Sequence, residues 1–357
     1  MNTFFKDLKV VELANVLAGP AVGMFFAELG AEVIKIENKL TKGDITRSWK
    51  LSQENADYKT SAYYAAVNWG KQSILINYTN KKELEQVYNL IKEADIVIAN
   101  FKYTDKDKFG LDYESVKKLN PTVIYAHISG FGEYDTRTAY DLVLQAETGF
   151  MHINGTPEVS PLKLPVAFID ILAAHQLKEG VLVALIKRMK TAKGSKVTVS
   201  LYDAAIASLV NQASNWLTAQ HNPQPIGSLH PNIAPYGEVF TTKDNKKIVL
   251  AIGSNKQFVN LCNCLGMNCI ADDTKFSENR KRIENRKELQ AIIECKIKLV
   301  ESSNLMVQFL TYQIPAGLIK SIKDVFDDPS NQSHILEYKQ DNESLKSVKT
   351  TIFNISD

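Results

Sequence analysis

Strands and helices alternate along the first part of this chain, which predicts an α/β protein with a large parallel-sheet domain and a smaller α+β domain. Three observations carry that expectation. Short runs rich in Val, Ile and Leu recur between residues 8 and 130, and segments with helical apolar spacing separate them. The stretch 221–237 holds four prolines and two glycines, as a linker does. Beyond it, a hairpin signal is followed by several helical patterns.

The first strand is expected at 8–14 (LKVVELA), a short buried run. Gly19-Pro20 breaks it, and a helix over 21–30 ends at Gly30. Further strands are expected at 31–37, 73–78, 95–101 and 122–130. A helix over 80–94 places Leu84, Val87, Leu90 and Ile91 on one face. Another is centred on 113–120. A long helix is expected from about Ile171 to Lys193, followed by one more strand and helix from Lys196. Such alternation predicts a parallel sheet covered on both faces by right-handed crossovers, a Rossmann-like arrangement. In the second half, a hairpin turns at Asp244-Asn245, IGSNKQF enters a helix, and further helices run to about Gln332. The last 25 residues are polar and carry no clear pattern.

The chain has 357 residues, 45% hydrophobic and 23% charged, with a net charge of +2. That balance does not call for a nucleic acid or an anionic membrane as partner. No apolar run reaches the roughly 20 residues of a spanning helix. Lys6, Asp7 and Lys9 interrupt any signal-peptide core, so a cytoplasmic, reducing location is expected. Cys262, Cys264, Cys269 and Cys295 lack the spacing of paired zinc ligands and are expected to pack as thiols.

The turn NVLAGPAVG follows a strand and opens a helix, where nucleotide phosphates often sit, but it is not Gly-x-Gly-x-x-Gly. No phosphate loop of the Gly-Lys-Ser/Thr type, no Gly-x-Ser-x-Gly elbow and no His-Glu-x-x-His helix occurs. Asp170 stands out: it follows the apolar run LPVAFI and directly precedes the long helix. It could cap that helix. The same position also suits a nucleophile, its carboxylate kept ionised by the helix amides and macrodipole, although pattern alone favours the cap. Periodicity does not separate the two.

A set of ordered segments does. LKVVELANVLAGPAVGMFFAELGAEVIKIE, NWGKQSILIN, ADIVIANF, NPTVIYAHISGFG and AYDLVLQAETGFMHINGT resemble landmarks of the family III CoA-transferases. HPNIAPYGEVF, IGSNKQF, FSENRKRIENRKEL and IPAGLIKSIKDVF continue the match to about residue 330. This group includes formyl-CoA transferase, carnitine CoA-transferase and the α-methylacyl-CoA racemases. The resemblance implies that Asp170 is the nucleophile, forming first a mixed anhydride and then an aspartyl-CoA thioester. It implies acyl-CoA and a carboxylic acid as substrates, with no permanently bound cofactor and no metal, and an interlocked homodimer.

It also implies roles for other residues. Tyr140 stands where racemases carry a histidine, the Tyr140-Asp141 pair matching transferases, and a tyrosine is a poor α-proton base at neutral pH, which favours transfer over racemisation. An acyl-CoA racemase and a catalytically silent CoA-binding protein are the alternatives. His127 and His152 lie near this stretch and are read as structural. Gly253 matches a loop expected to close over the site, without the poly-glycine run of formyl-CoA transferase. Val16, Leu17 and Ala18 are expected to line the CoA cleft, with Asn100, Phe101 and Lys102 along the nucleotide. Lys71, Lys102 and Arg137 are candidate phosphate partners. Asn38 replaces an arginine of some relatives at the adenine end, and Leu17 replaces the glutamine of formyl-CoA transferase. The expected division is a large CoA-binding domain over 1–220, a linker over 221–237 and a small domain over 238–330. Residues 331–357 are expected to return to the large domain. The chain ends at Asp357 without the Pro-rich Gly-x-His segment of many relatives, so closure of the fold is expected to differ.

Overall fold

The structure, a computed structural model, describes residues 3–102, 107–340 and 343–356. It divides into two compact units. The first comprises Met1–Met151, Lys163–Pro223 and Gln332–Asp357; the second comprises His152–Leu162 and Gln224–Asn331. The stretch read from sequence as a linker therefore divides at Pro223, and residues from Gln224 onward pack within the second unit.

In the first unit, β1 (Lys9–Glu12), β2 (Glu32–Asn38), β3 (Gln72–Ile76), β4 (Ile96–Ala99), β5 (Ile124–Ser129) and β6 (Ser195–Ser200) form one sheet. Its order is β3-β2-β1-β4-β5-β6 and every pairing is parallel. This is the doubly wound arrangement that the alternation predicted. The central strand β4 is apolar throughout: Ile96, Val97, Ile98 and Ala99 are each fully buried. That is what a strand covered on both faces requires.

The helices of this unit are α1 (Ala18–Glu28), α2 (Ala62–Ala65), α3 (Lys81–Glu93), α4 (Tyr113–Leu119), α5 (Asp141–Glu147), the first half of α6 (Phe150–Ile153, divided between the units after Met151), α7 (Phe168–Thr191), α8 (Leu201–Ala207) and α9 (Val210–Ala219). Helix α1 begins before Gly19-Pro20 rather than after it. Proline is tolerated in a first turn, where its missing N–H would have had no partner. Glycine is required at two points of α1. A Cβ on Gly19 would lie 2.3 Å from the Ala14 Cβ, and one on Gly23 would lie 1.8 Å from Glu12 Oε2. In α3, Val87 and Ile91 are fully buried and Asn80 caps the start, accepting from Lys82 N and Glu83 N.

The polar C-terminal stretch forms a hairpin in this unit that the sequence did not disclose. Glu343 accepts from Thr60 N at 3.2 Å and also from Lys59 N and Thr60 Oγ1. Glu28 accepts from Thr350 N at 3.0 Å and Thr351 N at 2.8 Å.

In the second unit, β7 (Tyr236–Thr241), β8 (Lys247–Ala251) and β9 (Ala316–Leu318) form an antiparallel sheet. The turn between β7 and β8 places Asn245 at φ +61°, a conformation asparagine tolerates. Helices α10 (Asn255–Cys264), α11 (Asn268–Ala271), α12 (Asn279–Glu284), α13 (Arg286–Ile297), α14 (Ser302–Thr311) and α15 (Ile322–Asp327) complete it. Buried Arg282 donates to Ala234 O, Phe276 O and Asn255 Oδ1 and so ties three segments together. The C-terminal hairpin of the first unit is β10 (Ile335–Gln340) paired with β11 (Glu343–Val348). All four cysteines are free: Cys262 is buried, as packing requires, whereas Cys269 and Cys295 are exposed. Among the described residues, no helix is long and apolar enough to cross a membrane.

Candidate active site

Strands β1 and β4 are neighbours in the sheet, yet their crossovers lead to opposite sides of it. The turns after their carboxyl ends therefore diverge and leave a crevice, the usual ligand position in such sheets. Here the two turns are stitched together. Asn15 N donates to Asn100 Oδ1 at 3.1 Å, and Asn100 Nδ2 donates to Asn15 O at 2.9 Å. Between them opens a cleft of about 150 Å3. It is lined by Val16, Leu17, Ala18, Asn100, Phe101, Lys102, Arg137, Tyr140 and Asp170, nine residues that the sequence spreads over 155 positions.

The turn from β1 into α1 is strained. Val16 has φ +73°, which for a β-branched residue costs on the order of 1–3 kcal/mol. It is held from below. Val16 N donates to Asp44 Oδ2 at 3.0 Å, and that carboxylate pairs with Lys35 at 3.1 Å. Lys35 also meets Glu12 at 2.9 Å and Ala14 O at 2.7 Å, and burial of these charges is complete. The neighbouring acid Glu37, gripped by Arg47, is held well below the usual carboxylate range, at about 2 despite its burial. Leu17 offers α1 no side-chain cap for its first-turn amides.

Asp170 is not the cap of the long helix. Helix α7 starts at Phe168, and Asp170 is its third residue. The capping acceptor is Asp141, whose Oδ2 receives Ile169 N at 2.7 Å and the longer, weaker contact from Asp170 N at 3.4 Å. The expectation that helix amides keep Asp170 ionised is thus corrected. Asp170 is only 8% exposed, and among the described residues nothing donates a hydrogen bond to its carboxylate. Burial, with the Asp141 charge adding to it, pushes Asp170 up to about 7. Tyr63 is raised as well, mainly by burial and then by the fields of Asp170, Asp141 and Asp44.

The other candidates fall into different places. Tyr140 precedes α5 and stands half exposed at the cleft. Lys102 donates to Thr138 Oγ1 at 2.9 Å. Arg137 stacks 3.6 Å over the Phe131 ring, is clamped by both oxygens of Asp135 and reaches Glu147 at 3.2 Å. Lys71 is not a phosphate partner in this structure. Its ammonium is buried on Glu12 at 2.8 Å, donates to Pro20 O and Asn68 Oδ1, and is pushed by burial down to about 8. Asn38 does not line the cleft; its side chain caps a short turn by accepting from Leu40 N at 2.9 Å. Gly253, in the second unit, donates to Gln257 Oε1 at 2.9 Å and has space for a Cβ. His127, read as structural, lines the cleft with Nε2 3.1 Å from Phe101 O. Asn15, Asp44 and Tyr63 were missed, because their partners are remote in sequence and no local pattern marks them. Among the described residues, no three His, Cys, Asp or Glu side chains gather as a metal cluster.

A switch-point cleft of this kind, built on a doubly wound sheet with a buried carboxylate at its edge that is unpartnered among the described residues, is characteristic of α/β enzymes that take nucleotide-bearing ligands. The profile of CoA-transferase family III matches residues 5–355. The chain is 38% identical to a succinate–glutarate CoA-transferase from Agrobacterium fabrum, over 97% of this chain and 88% of that protein. It is 33% identical to the human succinyl-CoA:glutarate CoA-transferase, over 91% of this chain and 73% of that protein. Among solved structures, a CAIB/BAIF family protein from Brucella suis superposes with a TM-score of 0.84 at 37% identity, covering 99% of this chain and 93% of that one. The chain belongs to CoA-transferase family III and is an enzyme of that kind.

Proposed function

We propose that this enzyme passes CoA from a short dicarboxylyl-CoA to a free dicarboxylate, with Asp170 as the covalent carrier. The observation that carries the reading is the Asp170 carboxylate, buried and without a hydrogen-bond donor among the described residues, beside the cleft formed by the Val16–Ala18 turn. A carboxylate stripped of donors and made more basic is a stronger nucleophile once ionised.

An Asp170 oxygen attacks the thioester carbonyl; the C–S bond breaks and CoA leaves as thiolate, giving a mixed anhydride. The thiolate then attacks the Asp170 carbonyl carbon, and the donor acid departs as carboxylate. The aspartyl-CoA thioester so formed is attacked by the acceptor carboxylate, which again expels thiolate. Attack of that thiolate on the acceptor's acyl carbon returns Asp170 as carboxylate. Each step forms one bond and breaks one, with no net proton transfer, so the thioester's free energy is carried through. The Val16–Ala18 turn and Asn100–Lys102 hold CoA, with Lys102 and Arg137 supplying positive charge for its phosphates. Tyr140, at the same cleft, lies beside the acyl group.

The substrate class is supported by the relatives named for succinate, glutarate and mesaconate. Exposed apolar side chains on α7, Val183, Ile186 and Met189, support a homodimer. The four free cysteines accord with work in a reducing compartment such as the cytoplasm.

The test is chemical trapping. Incubation with succinyl-CoA and hydroxylamine should leave a hydroxamate at Asp170, found by peptide mass spectrometry. Asp170→Asn should lose about 1,000-fold or more in turnover, the scale on which covalent machinery fails. An unlabelled Asp170, or undiminished transfer by Asp170→Asn with deamidation ruled out, would refute the mechanism.

A further inference from the structure

We infer that Asp44 is a positioning residue for the CoA-binding turn: its carboxylate, fixed by Lys35, holds Val16 in its left-handed conformation. Asp44 is 2% exposed and lies 28 residues from Val16 in sequence. Both of its oxygens are fully used as acceptors. Oδ2 takes Val16 N at 3.0 Å and the Lys35 ammonium at 3.1 Å, while Oδ1 takes Thr46 N at 3.0 Å and Thr46 Oγ1 at 2.9 Å. The Asp44 backbone is itself anchored, since its N–H donates to Glu37 Oε2 at 2.6 Å.

The energetics favour a purpose beyond packing. A valine at φ +73° is unfavourable on its own, and glycine would adopt that conformation freely. The chain instead keeps a branched side chain at the cleft wall and holds its backbone with a buried carboxylate. Val16, Leu17 and Ala18 line the cleft together, so the φ of Val16 sets how the next two residues and the first amides of α1 face the ligand. Lys35, also bound to Glu12 and Ala14 O, fixes Asp44 relative to the end of β1. Asp44 therefore acts through Val16 and touches no substrate.

This inference rests on the reading that CoA binds along the Val16–Ala18 turn. It is tested by titrating CoA into the full chain by calorimetry, a readout that needs no turnover. Asparagine at 44 must turn an NH2 group toward N–H donors on one side. Asp44→Asn should therefore weaken CoA binding about tenfold, the order of the backbone preference it no longer opposes. Thr46→Val, a milder loosening of the same carboxylate, should cost about threefold.

The decisive comparison adds Val16→Gly to each variant. Glycine needs no anchor at positive φ, so each double variant should bind CoA as tightly as Val16→Gly alone. A general structural defect would not be rescued by that change. Native-like CoA affinity in both single variants would overturn the proposal, as would persistent loss in the folded double variants. If Asp44→Asn does not fold by circular dichroism, the Thr46→Val pair carries the same comparison. Failure of the Asp170 chemistry would appear in the hydroxamate test and leave this titration intact. Absence of CoA binding by the native chain would instead remove the cleft reading itself.

Discussion

Two aspartates of the first unit, Asp44 and Asp170, are almost equally buried, at 2% and 8% exposure, and their surroundings could hardly differ more. Asp44 receives four hydrogen-bonding groups, one of them a lysine. Asp170 receives none among the described residues, and its nearest charged influence is another carboxylate, Asp141. The amides that α7 offers at its start go to Asp141 instead. Burial alone therefore does not define a role. A buried carboxylate surrounded by donors is an anchor, whereas one deprived of them stays reactive.

The contrast can be broken by removing either acid. Asp44→Ala strands the Val16 and Thr46 amides and takes one partner from buried Lys35. It should lower stability by about 3–5 kcal/mol, read as a fall in the urea midpoint. A loss below about 1 kcal/mol would show that Asp44 is not the anchor described.

Removing the Asp170 charge should do the opposite. Because folding raises Asp170 from the ordinary carboxylate value to about 7, the folded state holds that proton more tightly than the unfolded chain. Native stability then falls as pH rises from about 4 to about 7 and levels off above. Asp170→Asn should match the native chain below that window and exceed it above pH 7 by up to about 4 kcal/mol. Paired urea melts at both pH values check this; a stability gap that does not widen with pH would contradict the raised value.

The finest test sharpens the role of Asp141. Since its charge helps raise Asp170, the acid limb of kcat/KM for the native enzyme should lie near pH 7. Asp141→Asn should move that limb toward lower pH by about one unit, while its remaining amide oxygen still accepts from Ile169 N. An unmoved limb would assign the raised value to burial alone.

How much of this was legible in the sequence depends on distance along the chain. The six parallel strands were read because each is a local apolar run, and α3 because Val87 and Ile91 repeat at helical spacing. Asp170 was placed correctly near a helix start, but the residue that caps that helix lies 29 positions away. Lys71 was read as a candidate phosphate partner, and only the fold shows it paired with buried Glu12. The hairpin of β10 and β11 stayed hidden because its inward positions include Glu343 and Ser347. Glu343 satisfies donors of Lys59 and Thr60 elsewhere in the unit, and polar residues at inward positions erase the alternation that marks an ordinary strand.

By itself, then, the sequence determined the alternating elements, the parallel sheet, the family resemblance and many of the residues that line the cleft. These follow from local propensity, periodicity and ordered motifs, which need no partner to be read. Only the tertiary structure decided the electrostatic state of those residues. It gave Asp44 its donors, denied them to Asp170 and buried Lys71. The reason is physical: a charge's behaviour depends on solvent exclusion and on neighbours within a few ångströms, and folding draws those neighbours from anywhere in the chain.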